Sequence, residues 1–60
     1  MFTSQICPAT GEATINKDGR TVGTASFANA AQRHLFEQAL AAGTRPARAA
    51  EEAGAIYLPA

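Results

Sequence analysis

Hydrophobic and polar positions change their period partway along the chain. Residues 2–7, FTSQIC, alternate, with Phe2, Ser4 and Ile6 on one side and Thr3, Gln5 and Cys7 on the other, which predicts a strand. PATG at 8–11 predicts a turn, because Pro8 presets φ and Gly11 adds conformational freedom. Residues 15–27, INKDGRTVGTASF, have strand-formers on either side of turn residues, so a hairpin is expected.

Two registers compete for that hairpin. A two-residue turn at Asp18-Gly19 pairs Ile15 with Val22 and brings Lys17 and Arg20 onto the same face. A three-residue loop, Lys17-Asp18-Gly19, pairs Asn16 with Arg20 and Ile15 with Thr21. It sorts Ala13, Ile15, Gly23, Ala25 and Phe27 onto one face. Glu12, Thr14, Asn16, Arg20, Val22, Thr24 and Ser26 take the other. The second division is cleaner, and the hydrophobic pattern selects it.

From Ala28 the period becomes helical. ANAAQRHLFEQALAAG starts with a capping signal, Asn29 followed by Gln32, with Ser26 as the alternative cap, and stops at Gly43. On a helical wheel Ala28, Ala31, Leu35, Ala39 and Ala42 form the stripe expected to face the sheet. Phe36 and Leu40 form a shoulder beside it, and Arg33 and Glu37 lie opposite. Thr44-Arg45-Pro46 opens a short second helix, with Thr44 as its cap, which runs through ARAAEEA to Gly54. Its apolar side is alanine alone. Ile56-Tyr57-Leu58 is read as a short strand or extended arm ended by Pro59. The expected fold is a single α+β domain over 1–60. It is a three-stranded antiparallel β-meander packed by one long helix, followed by a short second helix and an apolar C-terminal segment.

Composition changes the picture in one respect. The apolar fraction of the 60 residues is 47%, yet alanine accounts for 15 of them. The larger apolar side chains are Met1, Phe2, Ile6, Cys7, Ile15, Val22, Phe27, Leu35, Phe36, Leu40, Ile56, Tyr57 and Leu58. Each contributes about 2 kcal/mol when fully buried, so the core is thin for a chain of this length. Small domains with thin cores gain stability from disulfides, metals or association. One cysteine forms no internal disulfide, and one cysteine with one histidine builds no Cys/His zinc cage. Association, with itself or a protein target, is the expectation that remains, and no cofactor or small-molecule substrate is expected.

Charge and hydropathy narrow the classes further. Five basic residues balance five acidic ones, which is not the basic footprint of a phosphate-binding surface. No apolar run approaches a membrane span, and MFTSQICPAT lacks a basic leader with a long apolar stretch. A lone cysteine fits a reducing compartment. The expectation is a soluble, cytoplasmic protein.

Candidate chemistry is sparse. Cys7 and His34 are the only conventional nucleophile–base pair, and nothing in the sequence places them together. Glu51 and Glu52 point about 100° apart on a helix, which suits solvation better than acid–base work, and Glu52 has Arg48 one turn away. Gly43-Thr44-Arg45 precedes a helix N-terminus without a phosphate-loop pattern around it. Ala50 and Gly54 have the spacing of a helix-turn-helix, but a recognition helix has no room before Pro59. No catalytic or metal-ligating residues are therefore assigned, and an enzyme is not expected.

Three strands followed by a helix resemble in layout the small sheet-reading DNA-binding domains of some integrases and plant transcription factors. The likeness rests on GRTV and the following Phe27 and Ala30 at the hairpin-to-helix junction. It implies nucleic-acid contacts from Lys17, Arg20 and Thr24. The apolar surplus implies a protein interface instead, built from Phe36, Leu40, Arg45, Arg48, Ile56, Tyr57 and Leu58. The favoured expectation is a small non-enzymatic regulator or inhibitor acting through that interface, with a second copy or a protein target as its partner. Its size is that of proteins encoded by phages and mobile elements, anti-CRISPR proteins among them. A transcriptional or recombination regulator that binds nucleic acid is the alternative.

Overall fold

The computed structural model describes residues 1–60 as an α+β fold of four strands and two helices. Strand β1 is Phe2–Ile6, β2 Ala13–Lys17 and β3 Arg20–Ser26; helix α1 is Ala30–Ala41 and α2 Pro46–Ala53; strand β4 is Ile56–Pro59. The sheet is antiparallel throughout, in the order β1-β2-β3-β4. The apolar tail is thus a fourth strand beside β3, the short strand rather than the extended arm of the two forms the sequence allows there, and it enlarges the expected three-stranded meander to four.

The hairpin turn corrects the sequence reading. Lys17 pairs with Arg20, so the turn is the two-residue Asp18-Gly19, with φ of 54° and 81° at its centre. Positive φ at both positions is the turn whose twist matches that of the flanking strands, and Asp-Gly suits it. The register then shifts between Ile15 and Asn16, so that Asn16 pairs with Thr21 but Ile15 with Gly23. Val22 is the extra residue of a β-bulge. The bulge restores the phase beyond it, and Ala13, Ile15, Gly23 and Ala25 share one buried face as the pattern predicts. Val22, expected on the polar face, packs instead against the core.

Helix α1 begins as its capping signal predicts. Asn29 Oδ1 accepts a hydrogen bond from the Gln32 backbone N–H at 2.9 Å, and Gln32 Oε1 accepts one from the Ala28 N–H at 2.8 Å. Ser26 takes no part; its hydroxyl donates to Glu12 across the sheet at 2.8 Å. The helix ends with Thr44 N–H donating to the Ala39 carbonyl and Gly43 N–H to that of Leu40, with Gly43 at φ 93°. Thr44 is therefore spent on closing α1. The residue before α2 is Arg45, which makes no side-chain cap, and Pro46 follows it in the first turn.

The two helices cover one face of the sheet. The buried core is Ala13, Ile15 and Ala25 from the strands, Phe36 and Leu40 from α1, and Ala49, Ala50 and Ala53 from α2. Alanines on α2 let it lie close to both α1 and the sheet. Phe27 packs against Phe36 with ring centroids 5.4 Å apart. The stripe assigned to α1 is rotated relative to the sequence reading, because Phe36 and Leu40 face inward and Leu35 is 51% exposed.

Candidate functional site

The helices leave the opposite face of the sheet uncovered. Strict alternation outside the bulge places Thr3 and Gln5 of β1, Thr14 and Asn16 of β2, and Thr24 and Ser26 of β3 on that face, none of them fully buried. Thr14 stands directly opposite Thr24, and the Thr21 hydroxyl donates to Asn16 Oδ1 at 2.9 Å. β4 completes the face. Ile56 pairs with Ser26 and Leu58 with Thr24, and these two side chains are 64% and 58% exposed. A largely hydroxylic, flat surface therefore ends in a pair of exposed aliphatic side chains one strand step apart.

Tyr57, between them in sequence, points the other way. It pairs with Ala25, packs against the core and donates its hydroxyl to the Val22 carbonyl at 3.0 Å. The bulge and the tyrosine are thus linked, because the carbonyl of the extra residue is the one Tyr57 bonds.

The predicted interface residues divide accordingly. Phe36 and Leu40 are sealed within the chain, at 0% and 5% exposure, and offer no surface to a partner. They were free to turn inward because α2 and the sheet together need more apolar cover than the sheet alone. Arg45 is exposed ahead of α2. Arg48 is exposed but engaged, with its Nε 2.9 Å from a Glu52 oxygen, and this hydrogen bond raises its pKa. Ile56 and Leu58 remain as the exposed apolar members.

The nucleic-acid candidates do not converge on one face. Lys17 and Arg20 are cross-strand neighbours at the hairpin end, in a shallow surface depression shared with Val22 and Ala60. By alternation they lie on the helix side, where Lys17 Nζ sits 5.3 Å from the Phe2 ring centroid. Thr24 lies on the open face, where β2 and β3 place no ionisable side chain and where Glu12, just ahead of β2, accepts a hydrogen bond from Ser26. Gly54 is followed by β4, so no recognition helix succeeds α2.

Cys7 and His34 are both exposed, and no hydrogen bond joins them. The thiol has its own local environment. The Thr10 hydroxyl, and after it the Ala9 and Thr10 backbone N–H groups, favour the thiolate and lower its pKa. No group of three or more histidine, cysteine or acidic side chains gathers anywhere. No helix is long and apolar enough to cross a membrane.

The alternation in Ile56-Tyr57-Leu58 was the signal for the exposed pair, since only one face of a strand at the sheet's edge can turn to the core. Comparison with family models, curated proteins and solved structures finds no match.

Proposed function

We propose that this chain is a non-enzymatic binding protein that acts by laying the open face of its sheet against a protein target, with Ile56 and Leu58 as the anchoring contacts. The observation that supports this is the exposure of those two aliphatic side chains, adjacent on one face and backed by a rigid sheet. Burying the remaining exposed part of each against a partner contributes about 1–2 kcal/mol, and the hydroxyl-bearing side chains beside them supply directional bonds at low desolvation cost. Such a protein regulates or inhibits by occupying a surface on its target, as small phage- and mobile-element-type inhibitors of the anti-CRISPR kind do. The scarcity of basic side chains on the open face favours a protein over a nucleic acid as the target.

Capture from native lysate, followed by mass spectrometry, tests this. The expected result is a protein retained by the wild type and lost with Ile56→Asp/Leu58→Asp, whose fold is checked by circular dichroism. Retention of the same protein by both contradicts the proposal. Recovery of nucleic acid that falls steeply between about 50 and 200 mM salt supports the alternative.

A further inference from the structure

The two edges of the sheet differ in their capacity to pair. At β4 the Ala60 N–H donates to the Val22 carbonyl at 3.0 Å, which fixes the phase of the β3–β4 ladder. Leu58 and Ile56 then bond to β3, whereas the backbone groups of Tyr57 and Pro59 point to solvent. Pro59 has no N–H, so this edge is a poor template for another strand. At β1 the Cys7 N–H donates to the Glu12 carbonyl at 2.8 Å, so Gln5 and Thr3 bond to β2. The N–H and C=O groups of Phe2, Ser4 and Ile6 all point outward, with no proline and no charged residue along the strand.

We propose that β1 pairs antiparallel with β1 of a second copy, about a two-fold axis at Ser4, giving a continuous eight-stranded sheet. The sequence FTSQI is self-complementary in this register. Ser4 meets Ser4 of the second copy in a hydrogen-bonded pair, and Phe2 meets Ile6 in another, both with outward backbone groups. Phe2 and Ile6 already pack against the core and are only half buried, so each extends the apolar layer of the other. Thr3 meets Gln5 on the open face.

The helix above the edge has matching charges. Leu35, Ala39 and Ala42 line the groove toward α2, so the opposite flank of α1, on the β1 side, carries Arg33 and Glu37, 3.9 Å apart. A two-fold runs the two helices in opposite directions and sets Arg33 toward Glu37 of the second copy. Because the interface is isologous and the other edge is closed by Pro59, assembly stops at two chains and does not propagate into a fibre. This surface is separate from Ile56 and Leu58, and the pairing stands or falls without them.

Light scattering coupled to size exclusion, under reducing conditions at micromolar concentration, reads the assembly directly. The expected mass is twice the 6.2 kDa of one chain. Ser4→Pro removes a donor that the chain's own sheet does not use, so it gives a folded monomer. Thr3→Lys/Gln5→Lys sets lysines opposite each other and also halves the mass, whereas Thr3→Lys/Gln5→Glu restores complementarity and keeps the dimer. Ile56→Asp/Leu58→Asp leaves the dimer intact. A monomeric wild type overturns the inference, and so does a dimer that responds identically to both position 3/5 variants.

Discussion

The ring of Tyr57 lies across Gly23 so closely that no side chain fits between them. A Cβ placed on Gly23 falls 2.5 Å from Tyr57 Cζ and 2.7 Å from the Leu58 carbonyl oxygen. Glycine is required there by space, because a neighbouring strand's aromatic side chain crosses the backbone at the position that follows the bulge. Gly23→Ala is expected to destabilise the fold by about 1–3 kcal/mol. Tyr57→Phe, which deletes the bond to the Val22 carbonyl, is expected to cost about 1 kcal/mol. Combining Gly23→Ala with Tyr57→Ala removes the part of the clash that the ring makes and leaves the part with the Leu58 carbonyl, so the double variant is less destabilised than the sum of the singles. Urea denaturation of the wild type, Gly23→Ala, Tyr57→Ala and the double variant measures this, and strict additivity would refute the contact.

The orientation of α1 gives a second prediction. Leu40 is 5% exposed and Leu35 is 51% exposed, although both belong to the wide apolar surface visible in the sequence. Leu40→Asp buries an unpaired carboxylate and is expected to unfold the domain. Leu35→Asp is expected to change stability by less than about 0.5 kcal/mol, as surface substitutions do. Thermal melts followed by circular dichroism separate the two, and equal loss would return the helix to the orientation its alanine stripe suggests.

That comparison shows how far the residues alone reach. The strand alternation around Ile15, Gly23 and Ala25, the Asn29 cap and the Arg48–Glu52 pair were all legible, because each depends on neighbours a few positions away. The hairpin turn was misread because Val22 bulges, and a bulge lets a two-residue turn coexist with a face pattern that implies three. The face of α1 was misread because alanines weigh as heavily as Leu35 on a wheel yet fill little space. Packing against α2 and the sheet decides in favour of Phe36 and Leu40. The exposed pair at β4 emerges only once that segment is known to pair with β3, a contact distant in sequence. Phe36 and Leu40 then leave the candidate interface, and Ile56 and Leu58 keep their place in it.

The thiol of Cys7 supplies a pH-dependent prediction. Donation from Thr10 stabilises the thiolate, so deprotonation occurs at lower pH than for an ordinary cysteine. The rate of iodoacetamide alkylation should therefore rise to its plateau through a midpoint below that of the urea-unfolded chain. Thr10→Val removes the hydroxyl and should move the midpoint upward. An unchanged midpoint in that variant would show that the hydroxyl does not donate to sulfur.

Ile56 and Leu58 are the side chains proposed to meet the target. Methyl-resolved NMR of the labelled protein, titrated with the partner recovered from lysate, tests this most directly. Shifts or broadening are expected at the Ile56 and Leu58 methyls, with those of buried Ile15 and Leu40 little changed. Perturbations confined to Leu35 or to the Lys17–Arg20 hairpin end, with Ile56 and Leu58 unmoved, would contradict the proposal.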